Sequence, residues 1–159
     1  MLSHLLTLLG RDVALAGHRS IIGVQANLFM WQHGYELGER ARRVLQKGEA
    51  PVQNLPALLS SLGVHVAFVP LSSKDIHGAS IWEPGAVPIL LINSKAFVKA
   101  HPGALRATLA HELCHLLHDA GERSLTTIVS WGQEGSGNYN EALEARARAF
   151  APAFLAPPS

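Results

Sequence analysis

The chain has 159 residues, of which 48% are apolar and 16% charged, and its formal net charge is +1. This length suits one domain with a real hydrophobic core, and this composition excludes a disordered tail. The balanced charge provides no electrostatic footprint for nucleic acid. A single cysteine excludes a disulfide framework and fits a reducing cytosol.

Residues 1–49 are predicted to form an N-terminal helical extension. The apolar run at 2–9 is too short to span a membrane and lacks the basic segment of a signal peptide, so it is interpreted as a helix of the folded protein. Between Glu36 and Lys47 apolar residues recur on one face, which predicts an amphipathic helix. The basic residues of this helix are interpreted as a solvated face rather than a phosphate site; they are Arg40, Arg42, Arg43 and Lys47.

The segment 48–51 is the predicted boundary to a core unit at 50–159, although one compact body is expected. Pro51 suits the first turn of a helix that would end at about Leu62. Strands are then predicted at 65–70, 79–82 and 87–93, the last two joined by a tight turn. A hairpin of this kind predicts an α+β fold, with a small, mainly antiparallel sheet packed against helices.

The motif His-Glu-Leu-Cys-His lies in a helix predicted from about Pro102 to His118. On a helix His111 and His115 are one turn apart, about 5–6 Å between Cβ atoms, so both imidazoles can bind one metal ion. Glu112 flanks the pair and can reach a water at the metal. The opposite, apolar face is predicted to pack on the sheet, so that the histidines face a cleft; it carries Leu105, Leu109, Leu113 and Leu116.

A third metal ligand must come from elsewhere, because a catalytic zinc has three protein ligands and one open position. His118 lies about 10 Å from His111 along the helix axis, which is too far for one ion. Cys114 is interpreted as a small buried residue. Residues 120–138 are predicted to be a long polar loop, followed by a last helix that Pro152 kinks or ends. Glu141 and Glu144 share one face of that helix, and the spacing does not choose between them.

Three segments resemble the ImmA/IrrE family of metallopeptidases over roughly residues 50–157. They are ILLINSKAF at 89–97, LRATLAHELCHLLH at 105–118 and EARARAFAPAFLAP at 144–157. The resemblance implies a zincin-like fold in which Glu144 joins His111 and His115 as the third metal ligand. Cys114 and Arg148 depart from the residues usual at their positions, which affects the expected substrate fit more than metal binding.

Together these features predict a metal-dependent endopeptidase, in which Glu112 is the catalytic base that takes a proton from the attacking water. Two imidazoles and a carboxylate favour zinc as the cofactor, with manganese or iron as alternatives. Three side chains carry groups that could stabilise an oxyanion, but they are interpreted as ordinary surface or turn residues and none is assigned; they are His77, Tyr139 and Arg146.

The substrate expected from the resemblance is a specific cytoplasmic regulatory protein, a helix-turn-helix repressor of a stress response or mobile element. Direct binding to nucleic acid or to a membrane is not expected. The alternative is a non-catalytic, metal-binding regulatory or sensor protein that acts through protein–protein interaction. A zinc peptidase with an unrelated substrate, such as a toxin, is a further alternative.

Overall fold

The computed structural model of the chain describes residues 26–83, 86–96, 100–119, 125–130 and 138–156. These residues form four helices and four strands. In chain order they are α1 (Ala26–Val44), α2 (Leu55–Ser61), β1 (His65–Val69), β2 (Ile76–Trp82), β3 (Ile89–Asn93), α3 (Pro102–His118), β4 (Leu125–Ser130) and α4 (Asn138–Leu155).

The four strands form one mixed sheet in the order β1-β3-β2-β4. β2 is antiparallel to both β3 and β4, whereas β1 and β3 are parallel, with His65 opposite Ile89. The predicted α+β class and the β2–β3 hairpin are confirmed. The parallel pairing of β1 with β3 was not predicted. It places β1 at one edge of the sheet.

A polar loop was predicted at 120–138. This prediction is wrong for residues 125–130, which form β4. Its sequence LTTIVS has four consecutive β-branched residues, which suit an extended backbone. β4 pairs along the length of β2, from Leu125 opposite Trp82 to Ser130 opposite Ile76. The backbone hydrogen bonds of this pairing stabilise a strand where the composition alone predicts a loop.

The boundaries of α1 and α2 differ from the predicted ones. α1 begins at Ala26 and ends at Val44, so it is longer than the helix predicted at 36–47, and helices predicted before Ala26 lie outside the described residues. α2 begins at Leu55 rather than Pro51, because the side chain of Asn54 accepts a hydrogen bond from the N–H of Ala57 (3.1 Å) and caps the helix.

α4 continues through Pro152 to Leu155, although this proline was predicted to end or kink the helix. Phe150 and Phe154 are both fully buried on either side of the proline, and their rings stack with centroids 5.3 Å apart. This packing holds the last turn in place despite the backbone hydrogen bond that a proline removes.

α3 lies between the sheet and α4, and its residues from Thr108 to Leu117 are all buried. The predicted apolar face is confirmed in part: Leu109, Leu113 and Leu116 belong to the core with β3 and α4, and Leu105 is half-buried beside them. The predicted cleft is wrong, because His111 is only 7% exposed and His115 is fully buried. The face opposite the sheet is covered by α4 rather than open to solvent.

α1 packs closely against α4, the helix that carries Glu141 and Glu144. A Cβ at Gly38 would lie 2.8 Å from the Cβ of Ala153 and 2.8 Å from the carbonyl oxygen of Phe150. Arg42 is buried, not solvated as predicted, and donates to the carbonyl oxygens of Phe154, Gly48 and Ala50 at 2.6–2.8 Å. The division into units at 1–49 and 50–159 stays a prediction.

Asn93, the last residue of β3, fixes the segment that leads into β2. Its Oδ1 accepts from the N–H groups of Leu71 (3.1 Å) and Lys95 (3.0 Å). Its Nδ2 donates to the carbonyl oxygens of Ser73 and Ile76, both at 2.7 Å. With all these bonds made, the buried amide stabilises a turn without leaving polar groups unsatisfied, and it holds the start of β2, which lies against α3. Among the described residues, no helix is both long and apolar enough to cross a membrane.

Candidate metal centre

Three side chains on two helices converge at the buried face of α3. His111 and His115 follow one another by one helical turn, and Glu144 reaches them from α4. The Nε2 atom of His111 lies 3.2 Å from Nε2 of His115 and 3.0 Å from Oε2 of Glu144. The Nε2 atom of His115 lies 3.3 Å from Oε1 of Glu144. One ligand atom from each residue fits within 4.8 Å of the others.

These distances match the ligand cage of a tetrahedral metal ion. At metal–ligand bonds of about 2.0–2.1 Å and tetrahedral angles, neighbouring ligand atoms are roughly 3.3 Å apart. The two imidazole nitrogens, 3.2 Å apart, agree with that value, and each lies 3.0–3.3 Å from a different oxygen of the Glu144 carboxylate. Two nitrogens and one carboxylate are also a common donor set for a catalytic zinc. The three residues therefore fit a divalent ion with one position left for water.

The charges of the three groups are strongly coupled. Burial lowers the pKa of His111, although Glu144 opposes the shift. Burial alone would also lower the pKa of His115, but hydrogen bonds with Asp119 and Glu144 raise it to about 9. Burial alone would raise the pKa of Glu144, but its bonds with both histidines lower it to about 2. The carboxylate therefore stays ionised at neutral pH, as a metal ligand must.

Glu112 lies on the same helix and is fully buried. Neither of its carboxylate oxygens has a hydrogen-bond partner among the described residues. Burial raises its pKa to about 7, while the charge of His115 and the nearby hydroxyl of Ser80 lower it. A Cβ at Gly78 would lie 3.4 Å from Oε1 of Glu112, so the backbone of β2 lies directly beside the carboxylate. A buried acid with an unsatisfied carboxylate and a pKa near neutrality is suited to accept and return a proton.

Asp119 and Arg146 complete the site, and this pair was not predicted from the sequence. Oδ2 of Asp119 lies 2.6 Å from Nδ1 of His115, and Oδ1 accepts a hydrogen bond from the guanidinium of Arg146. Burial alone would raise the pKa of Asp119, but His115 and Arg146 lower it. The available signal was spacing, because Asp119 follows His115 by four residues and a helix places such residues side by side.

The other residues considered as the third metal ligand lie outside the triad. The thiol of Cys114 is fully buried, and burial raises its pKa well above the usual range. His118 packs edge-on against Phe150 with ring centroids 5.9 Å apart, and burial together with the charge of Arg146 lowers its pKa to about 3. Glu141 is exposed at the start of α4. The structure thus brings Glu144, not Glu141, to the two histidines.

The three side chains considered as oxyanion donors have different positions. Arg146 was interpreted as a surface or turn residue, but it is buried and its guanidinium binds Asp119. His77 is half-buried on β2, where burial lowers its pKa and Asp75 opposes the shift. Tyr139 belongs to the first turn of α4, and its side chain lies outside the described part of the chain. An oxyanion donor stays unassigned.

Comparison with known proteins assigns the chain to a family. The IrrE N-terminal-like domain, peptidase family M78, matches residues 59–158, which include β1–β3, α3 and α4. No curated protein matches the chain. The matched segment covers most of the sequence and contains both histidines, Glu112 and Glu144, so the resemblance predicted from the three motifs is confirmed. The chain belongs to the ImmA/IrrE family of peptidases.

Proposed function

We propose that the chain is a zinc-dependent endopeptidase with a zincin-like active site. The observation that carries this proposal is the arrangement of His111, His115 and Glu144 at the spacing of a tetrahedral ligand cage, with the buried carboxylate of Glu112 on the same helix. Family membership supports a peptidase and a metal cofactor. The nitrogen and carboxylate donors favour zinc over manganese or iron.

In this mechanism each residue of the site has a separate task. His111, His115 and Glu144 hold the ion, which when bound supplies a Lewis acid for the scissile carbonyl and for the attacking water. Glu112 accepts the proton of that water and then delivers it to the leaving amine. Burial raises its pKa to about 7 in the metal-free protein, and the positive charge of a bound ion would lower it, so the carboxylate is ionised and able to accept the proton at neutral pH. Its burial keeps competing solvent from the carboxylate.

The proposed substrate is a cytoplasmic helix-turn-helix repressor that controls a stress response or a mobile element. This part of the proposal rests on the resemblance to the ImmA/IrrE family alone, because fold and catalytic residues do not by themselves name a substrate. The partner is thus a DNA-binding protein, and the chain itself has a net charge of only +1, which gives no reason to expect direct contact with DNA.

The test is to incubate the zinc-loaded protein with the repressor encoded beside its gene and to follow a discrete cut. Glu112→Gln keeps the size of the side chain but cannot accept the proton, so it should bind zinc normally and cleave at least about 100-fold more slowly. Glu141→Gln is the matched control: it changes an exposed glutamate of α4 and should cleave like the wild type.

Two outcomes would contradict the proposal. Equal cleavage by the wild type and Glu112→Gln would remove Glu112 from the mechanism. Repressor inactivation without any cut, unchanged in Glu112→Gln, would favour a metal-binding regulator that acts by protein–protein interaction. The burial of both histidines makes this second outcome physically reasonable, because a sensor or structural site needs no access for substrate.

A further inference from the structure

Asp119 contacts the ligand His115 through both its backbone and its side chain. It is the C-cap residue of α3, and its N–H donates to the carbonyl oxygen of His115 at 2.8 Å. Its Oδ2 lies 2.6 Å from Nδ1 of the same histidine. The side chains of both residues are almost completely buried, at 7% and 1% exposed. Nδ1 of His115 is thus within hydrogen-bond distance of a carboxylate, and its Nε2 lies at the proposed metal position.

Arg146 holds the other oxygen of this carboxylate. Its guanidinium donates to Oδ1 of Asp119, and it is itself 7% exposed. Arg146 follows Glu144 by two residues in α4, whereas Asp119 ends α3. The ion pair therefore joins the helix that supplies two ligands to the helix that supplies the third. With both its oxygens engaged, the carboxylate of Asp119 has a fixed orientation against the imidazole.

We propose that Asp119, oriented by Arg146, is a positioning residue that directs Nε2 of His115 toward the metal and strengthens it as a ligand. An Nδ1–H that donates to a carboxylate leaves the Nε2 lone pair free for a metal and makes the imidazole more basic. This inference rests on the proposed function, because it requires that His115 binds a metal. It adds two residues that act through a ligand and do not touch the ion.

A simpler role for the same contacts is an ion pair that only joins α3 to α4. That role predicts a loss of stability on mutation, with unchanged zinc affinity in the folded protein. The positioning role predicts weaker zinc binding even where folding is complete. Zinc affinity, measured by competition with a chromophoric chelator on fully folded protein, separates these two roles without any activity assay.

Asp119→Ala alone would leave the buried guanidinium of Arg146 without its carboxylate, which destabilises a protein strongly. The informative variant is therefore the double substitution Asp119→Ala/Arg146→Met, which removes both charges and keeps the methylene volume. It should fold and bind zinc about 10–100-fold more weakly than the wild type, the usual effect of losing such an outer carboxylate. Asp119→Asn retains an acceptor oxygen for Nδ1–H and should give an intermediate loss.

Two control variants distinguish the proposed positioning effect from a general loss of stability and from the loss of a metal ligand. Leu59→Ala removes a buried side chain of α2 that is not part of the proposed site, so it should lower stability and leave zinc affinity unchanged. His111→Ala removes a proposed ligand and should abolish tight binding. If His111→Ala kept full affinity, the proposed function would fail. If only the Asp119 variants kept full affinity, the positioning role alone would be overturned.

A second readout follows the proton itself. In zinc-loaded protein with ¹⁵N-labelled histidine, the Nδ1–H of His115 should give a slowly exchanging, strongly downfield proton resonance, because the carboxylate accepts it at 2.6 Å. This resonance should be lost in Asp119→Ala/Arg146→Met and kept in Leu59→Ala. Its presence, unchanged in position, in the double variant would contradict the inference.

Discussion

Gly34 of α1 is the position where a single methyl group should most disturb the site from outside it. A Cβ at Gly34 would lie 2.9 Å from the carbonyl carbon of Arg146 and 3.0 Å from its Cα, and closer still to its carbonyl oxygen. Carbon atoms pack best at about 3.5–4.0 Å. Gly34→Ala therefore requires α1 and α4 to separate by at least about 1 Å. The nearest atom is the carbonyl oxygen of Arg146, and helix backbone cannot rotate aside.

The expected change in the free energy of unfolding is the difference of two terms. Overpacking costs typically 1–3 kcal/mol, and we expect about 3 kcal/mol here because the clash is with backbone. Replacing glycine by alanine in a helix gains up to about 1 kcal/mol. The net destabilisation is about 2 kcal/mol, which should lower the melting temperature by about 4–8 °C for a chain of this size.

Urea unfolding of three alanine variants tests this reasoning. Gly103→Ala is the matched control, because Gly103 also lies in a helix but has no atom within 4 Å of its would-be Cβ, and it should be neutral or slightly stabilising. Gly38→Ala should be destabilising, because the atoms it meets belong to Phe150, Ala153 and Phe154.

Zinc affinity separates the two destabilising variants. The clash at Gly34 is with Arg146, which holds Asp119, so Gly34→Ala should weaken zinc binding more than Gly38→Ala does. A Gly34→Ala protein that unfolds at the same urea concentration as the wild type, or at a higher one, would refute the close packing of α1 on α4 at this point.

Three further predictions concern the site itself. Glu144→Ala should abolish tight zinc binding and Glu141→Ala should preserve it, as measured by metal analysis after dialysis; loss of zinc in the Glu141 variant instead would contradict the helix register. The pKa of His115 is raised to about 9, so zinc must displace its proton on binding. The apparent zinc affinity should therefore increase with pH up to about 9, and calorimetry in two buffers should detect the released proton. An affinity independent of pH between 6 and 8 would argue against this. Because the pKa of Glu112 is raised, the metal-free wild type should lose stability as pH rises from 4.5 to 7. In urea unfolding, Glu112→Gln should therefore be more stable than the wild type by a margin that grows over that range. A constant margin would show that Glu112 does not titrate there.

Local patterns in the sequence were sufficient for α3 and for the β2–β3 hairpin. The i, i+4 spacing of His111 and His115 fixes their relative position through helix geometry alone, wherever the helix lies in the fold. A tight turn between two short apolar runs likewise specifies an antiparallel pair. The boundaries predicted for α3 agree with the structure at both ends, Pro102 and His118.

The burial of the site was mispredicted because the pattern of α3 describes one helix and not its neighbours. Leucines on one face suggested an open cleft on the other, but α4 covers that second face and leaves His115 fully buried. β4 was missed for a related reason. Its polar threonines resemble a loop until the pairing with β2 supplies partners for its backbone groups.

By itself the sequence determined the helix that carries the His-Glu-Leu-Cys-His motif, the α+β class and the family, since each is visible in local patterns, the family in three short motifs. Helix spacing alone left Glu141 and Glu144 open, because they share a helix face and differ by less than one turn, and only the family resemblance pointed to Glu144. The tertiary structure brings the carboxylate of Glu144 to the two histidines. It also decided that Asp119 and Arg146, 27 residues apart, form one buried ion pair against His115. Their contact depends on how α4 packs across α3, and that packing is set by side chains distributed over the whole core rather than by any local pattern.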